Sequence, residues 1–202
     1  MKYGMFYNFE TVGDILMIIF DSVSLPTKVV KKNDVVALYK DSTLIGYNFL
    51  NISKDIKIKA NGLIPICNHK VTDILNHILI NEGFEKLDYL DHSGFVVAKI
   101  IEMEDHPDSE HLHVLKVDVG NNNILQIVCG SFNAKVGLKV VCATPFTFMP
   151  NGLQIIPNEL LGVSSNGMLC SGRELNFPGY ENIRGLYILD DKYNVGDDFF
   201  SY

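Results

Sequence analysis

Gly162-Val163-Ser164-Ser165-Asn166-Gly167-Met168-Leu169-Cys170-Ser171 is a short polar run, punctuated by glycine, that leads into three apolar residues. Two upstream stretches have a similar mix of turn formers and small polar residues: His106-Pro107-Asp108-Ser109-Glu110-His111-Leu112 and Gln126-Ile127-Val128-Cys129-Gly130-Ser131-Phe132-Asn133. Around them strand patterns dominate. Phe95 to Met103, Val114 to Val119, Ile124 to Cys129, Lys139 to Ala143 and Leu153 to Ile156 are short, apolar-rich and bounded by turn residues. Gly120-Asn121-Asn122-Asn123 reads as a hairpin connection. Strands of this length and spacing fit a small closed barrel, an architecture that leaves no exposed sheet edge. The segment after Pro157 extends the barrel, with Gly185 to Leu189 as a further strand; where the run from Gly162 to Ser171 serves structure rather than contact, it reads as a tight loop closing the barrel.

Taken together and in this order, the three stretches resemble the tRNA-binding domain appended to phenylalanyl-tRNA synthetase β chains and methionyl-tRNA synthetases, found also in free-standing tRNA-binding proteins. The resemblance runs from about Ser93 to Phe200. It implies an all-β oligonucleotide-binding (OB) fold. With a small α+β domain ahead of the barrel, the whole chain resembles the free-standing YtpR-type members of that family. The resemblance implies a non-catalytic tRNA-binding accessory protein, and a homodimer, since free-standing relatives act as dimers. It also sets Ser165 and Met168 at positions where the family contacts the outer corner of tRNA.

A protein that accepts many tRNAs must read shape and backbone, because the deep major groove of RNA hides base edges from side chains. Weak sequence preference and no DNA specificity are expected. Asn166 offers a carboxamide beside the Ser165 hydroxyl, and Met168 an adaptable apolar surface. Asn133 either presents its carboxamide on the binding face or bonds its own backbone as a turn residue. Ser165 and Met168 have the same two readings, contact or barrel structure. Lys99 and Lys116, on strands, and Arg173, after the Ser171-Gly172 turn, are the cations expected to meet phosphate.

Charge points the other way. From Gly94 to Tyr202 seven basic residues oppose thirteen acidic ones, a net charge of −6, against −1 for the preceding part. His111 stands where the family usually has lysine. Neutralising phosphates supplies most nonspecific affinity for nucleic acid, so binding is expected to be weak or confined to a local positive patch. The alternative is an OB-fold protein-interaction or dimerisation module that has lost most RNA affinity.

The 202 residues allow two domains of ordinary globular composition, 47% hydrophobic and 20% charged. Residues 1–90 read as the small α+β domain, of unknown function, and 91–202 as the tRNA-binding domain, with the boundary between Glu85 and Gly94. In the first domain Asp14 to Phe20, Thr27 to Val30, Val35 to Tyr39 and Thr43 to Asn48 read as an antiparallel meander. Ile74, Leu75, Ile78 and Leu79 lie at helical spacing within Thr72 to Glu82, and Gly83 is a natural stop. Cys67, Asn68 and His69 read as the loop leading to that helix.

No signal peptide or membrane span is legible, and the four cysteines, 67, 129, 142 and 170, show no disulfide spacing. A reduced, cytoplasmic protein is expected. His106, His111 and His113 lack the spacing of a zinc site. The run from Gly162 has neither the lysine of a phosphate-binding loop nor a nucleophile elbow. No cofactor, metal or catalytic residue is assigned, and the chain reads as a binding protein rather than an enzyme.

Overall fold

The computed structural model describes residues 2–65 and 68–201, which leaves Cys67 outside the described residues. The chain divides into two compact units, 1–91 with 151–154, and 92–150 with 155–202. Both are mostly β.

The first unit is built on an antiparallel sheet in the order β3-β4-β5-β2-β1-β6. Its strands are β1 (Gly4–Asn8), β2 (Ile15–Ile19), β3 (Lys28–Lys32), β4 (Val35–Lys40), β5 (Thr43–Leu50) and β6 (Asn61–Leu63). Strand alternation turns one face into the core. Leu16 and Val35 both oppose Phe49, and Ile18 and Ala37 both oppose Tyr47, so two cross-strand rows lie side by side. A single helical turn, α1 (Phe9–Val12), links β1 to β2.

The helix α2 (His69–Asn81) lays Leu75 and Leu79 into the same core cluster. It begins three residues before the expected Thr72 because Asn68 caps it, its Oδ1 accepting from the Lys70 amide. It stops at Gly83, whose φ is +67°. There the Gly83 amide donates to Ile80 and the Phe84 amide to Leu79, the paired bonds of a Schellman stop. Phe84 folds back on the core.

The second unit has the strand path β13-β10-β7-β8-β9, with β14 paired to β10. These are β7 (Phe95–Asp105), β8 (His113–Asp118), β9 (Ile124–Cys129), β10 (Lys139–Ala143), β13 (Met168–Leu169) and β14 (Ile188–Leu189), with β11 (Asn158–Leu160) and β12 (Val163–Ser165) forming a separate hairpin. The long β7 serves two neighbours, β10 through its first half and β8 through its second. A register shift between Ile100 and Glu102 bends it. The β8–β9 hairpin turns on Asn121 and Asn122, both at positive φ, which matches the twist of the strands. Inward residues Ala98, Ile100, Leu115, Val117, Ile127, Val140, Cys142 and Leu169 form one core.

No ladder joins β9 to β13, so the sheet path is open at that seam. Side chains and single backbone bonds span it instead. The Asn166 amide donates to the Gln126 carbonyl, Gln126 Nε2 to the Ser164 carbonyl, and the Val128 amide to Ser165 Oγ. Two expectations need correction. The run from Gly162 to Ser171 is not one loop but holds β12 and β13. Leu153 to Ile156 is not a strand: Asn151 Oδ1 takes the Leu153 amide in a local turn, with Gly152 at φ +86°. Among the described residues no helix is long and apolar enough to cross a membrane.

Candidate nucleic-acid interface

A cleft of about 590 Å³ opens where the ends of β9 and β13 meet. Val128, Cys129, Met168 and Leu169 line its strand side, Gly130, Ser131 and Phe132 one rim, and Arg173, Glu174, Arg184 and Gly185 the other. Phe132 is 79% exposed. A large aromatic left in water beside cations is a ready surface for stacking.

Two local devices hold this cleft together. In the first, Asn133 Oδ1 accepts the Leu186 amide at 2.8 Å and Nδ2 donates to the Leu186 carbonyl at 3.2 Å. Ser131 Oγ donates to the same Oδ1. This clasp fixes the loop that carries Phe132 against the segment that carries Arg184. Gly185 has to be glycine there, since φ is +99° and a Cβ would meet the Asn133 carboxamide at 2.8 Å.

The second device is the turn Ser171–Glu174. Glu174 Oε2 accepts from both the Ser171 amide and its hydroxyl, and Ser171 Oγ accepts the Glu174 amide, a reciprocal S-x-x-E pattern on one helical turn. Arg173 projects from this turn. A Cβ on Gly172 would meet the Tyr180 ring at 2.3 Å, so the turn lies flush on the aromatic group of Phe177, Tyr180 and Tyr187. Arg173 and Arg184 are exposed and have no ion-pair partner among the described residues.

The remaining motif residues fall into place around the cleft. His106 is 3% exposed; Nδ1 accepts the Asp108 amide, which leaves the proton on Nε2 to be donated to the Leu160 carbonyl. The imidazole thus pins the first motif to the β11–β12 hairpin. Burial pushes the thiols up, Cys142 to about 12, Cys170 well above the ordinary value, and Cys129 above it as well. Thiols held protonated in this way are inert as nucleophiles.

These features coincide with the sequence relationships of the chain. A family profile described as "Putative tRNA binding domain" matches residues 95–198. The chain belongs to that tRNA-binding-domain family. A second profile, described as a domain of unknown function, matches residues 23–89. The "Putative tRNA-binding protein YtpR" of Bacillus subtilis is 39% identical over 198 residues, covering 96% of this chain and 98% of that protein. The phenylalanine–tRNA ligase β subunit of Neisseria gonorrhoeae is 41% identical over 135 residues, 64% of this chain and 17% of the ligase subunit. That of Lactiplantibacillus plantarum is 37% identical over 151 residues, 73% and 18% respectively. The chain therefore spans only about a sixth of the length of these synthetase relatives.

Within the tRNA-binding-domain span, the residues singled out from sequence separate into four groups. Met168 and Arg173 line the cleft. Ser165 and Asn133 serve as ties: Ser165 is 4% exposed with its Oγ bonded to the Val128 amide, and the Asn133 carboxamide is used on both sides by Leu186. Asn166 is half-buried at the seam, its Nδ2 donating to Ser164 Oγ. The lysines lie on the strands, away from the cleft lining. Lys116 is ion-paired with Glu102, which raises its pKa, while Lys99 is exposed and faces Asp118 and Lys139 across the strands.

Phe132, Arg184 and Glu174 were not singled out from sequence. Phe132 had a signal, an aromatic stranded between Ser131 and Asn133 in a polar loop. Glu174 had one too, as the last residue of an S-x-x-E pattern. Arg184 had none, since only folding brings it to Phe132.

Proposed function

We propose that the chain is a non-catalytic tRNA-binding accessory protein that recognises folded tRNA by shape, with weak sequence preference, through an OB-fold barrel in its second unit. The observation that carries this reading is the cleft at the β9–β13 seam, where Arg173 and Arg184 line the same cleft as Phe132, without an ion-pair partner among the described residues, within the family-matched span. A five-strand path with a seam spanned by side-chain bonds fits a partly open Greek-key barrel. The relatives' printed names support tRNA as the ligand. Buried thiols and a fully hydrogen-bonded His106 favour binding over catalysis. In this reading Met168, Arg173 and Asn166 touch RNA, Lys99 and Lys116 add peripheral charge, and Ser165 and Asn133 position the loops. The protein acts as a homodimer in the cytoplasm.

The test is titration of the protein into labelled mixed tRNA at several salt concentrations. With four cations in the second unit that have no ion-pair partner among the described residues, Lys99, Lys135, Arg173 and Arg184, log affinity should fall with log salt at a slope of about −3, less than one unit per phosphate neutralised. Equal affinity for an unstructured RNA of the same length would overturn shape recognition. The net charge of −6 on the second unit favours a second reading, a protein-interaction or dimerisation module. A stable dimer with no affinity for tRNA at low salt would support it.

A further inference from the structure

We infer that the cleft between Phe132 and Arg184 captures one unpaired nucleotide of a folded RNA, its base stacked on Phe132 and its flanking phosphates held by Arg173 and Arg184. This rests on the RNA-binding reading above and goes beyond it, because shape recognition alone requires no base to leave its helix.

The chemistry of the lining decides what can enter. Phosphates suit the rim, where the guanidiniums of Arg173 and Arg184 are exposed and without anionic partners among the described residues. They do not suit the part of the cleft that Glu174 lines, because its carboxylate repels them. Ser171 occupies Glu174 Oε2 twice, so Oε1 is left to accept a bond from a ligand. Every nucleobase carries an N–H on its pairing edge and no charge, which satisfies an acceptor-only carboxylate where a phosphate would be repelled.

That edge is free only when the base is unpaired. Phe132 then supplies the face: stacking is open to any base, since each has a π surface. Met168, partly exposed on the strand side, gives an adaptable apolar wall opposite. The volume of about 590 Å³ lies within the range of pockets that hold small ligands.

The site is also built in advance. Phe132 adjoins Asn133 of the Asn133–Leu186 clasp, Arg184 lies two residues before Leu186, and Arg173 stands inside the Ser171–Glu174 turn. Phe132 is exposed at a loop tip and contributes nothing to either core cluster. Its exposure is unexplained by folding and is explained by stacking.

The experiment compares three labelled RNAs against the intact protein: mixed tRNA, a hairpin with a seven-nucleotide loop, and the same stem as a blunt duplex. The hairpin should bind at least tenfold tighter than the duplex, and Phe132→Ala should remove most of that preference while Phe132→Tyr keeps it, as expected for loss of one base stack. Arg184→Gln should weaken hairpin and tRNA binding and reduce the salt slope by about one phosphate. If tRNA binds but hairpin and duplex bind alike, and Phe132→Ala changes neither, the nucleotide site is wrong while the tRNA reading stands. If the intact protein binds none of the three RNAs, both fall together. Circular dichroism of Phe132→Ala keeps a folding defect from being read as either result.

Discussion

At the scale of single residues, the cleft gathers side chains whose freedom is unusual in so acidic a unit. Three of the seven cations in the second unit are already spoken for: Lys116 by Glu102, Lys139 by the Asp191 and Tyr193 carbonyls, Lys192 by Asp190. Among the described residues Arg173 and Arg184, like Lys99 and Lys135, have no such partner, and a planar fork of donors suits phosphate better than a point charge does. Arg173→Gln and Arg184→Gln should therefore each weaken tRNA binding several-fold at low salt and less at high salt, read by fluorescence anisotropy. Lys116→Gln should do little. The buried thiols make a separate prediction. Burial lifts Cys142 from 9.0 to about 12, so below pH 9 the group is neutral in both states. Between about pH 9 and 12 the unfolded chain releases a proton that the folded chain retains, and stability falls with rising pH, by up to about 1.4 kcal/mol per unit for one thiol. Urea unfolding at pH 8 and pH 10 should show this loss, and Cys142→Ala should make it less steep.

At the scale of elements, the recurring device is a polar side chain that replaces a missing strand ladder. Asn133 holds the 131–133 loop to Leu186 across 53 residues of sequence, and Ser165 and Gln126 hold the β9–β13 seam. Breaking such a tie leaves partly buried amides and carbonyls without partners, which costs about 1–3 kcal/mol each. Asn133→Ala should lower stability in urea by about that amount and weaken RNA binding more than its own lack of contact would suggest, because Phe132 and Arg184 lose their fixed spacing. Unchanged RNA affinity in a folded Asn133→Ala protein would detach the clasp from the site. Gly185→Ala belongs to the same test, since the new methyl group meets the carboxamide head-on at a backbone angle that only glycine adopts freely.

At the scale of the whole molecule, the two units call for a test of where affinity resides. From Asp88 to His92 the residues are mostly exposed, whereas Leu87 is buried and its backbone is bonded on both sides to Asn76, and Ser93 is bonded to Asp198. A protease should cut between 88 and 92 before it reaches either core. The fragment that begins there should retain most tRNA affinity, and the 1–90 fragment should retain none, in gel-shift assays on the separated pieces. Binding that requires the intact chain would move the site away from the cleft.

What the sequence determined by itself was local or repeated. The helix stop at Gly83, the Asn121–Asn122 turn and the period-two strands of both units depend on neighbours a few residues away, so they are legible along the chain. The family, too, was legible from three motifs in order. Only the tertiary structure decided the rest. Strands as short as β12 and β13 have too few residues to show a period, and Leu153 to Ile156 had the composition of a strand but pairs only through the Ile155 backbone bonds to Phe146 and Thr147, too few for a strand. Asn133 and Ser165 are polar residues in motifs, equally suited to a ligand or a backbone. Which they serve depends on whether Leu186 and Val128 come within hydrogen-bond distance, and that is settled by folding across long sequence separations. Arg184 joins the cleft for the same reason: it lines the same cleft as Phe132 only because the clasp draws their two loops together.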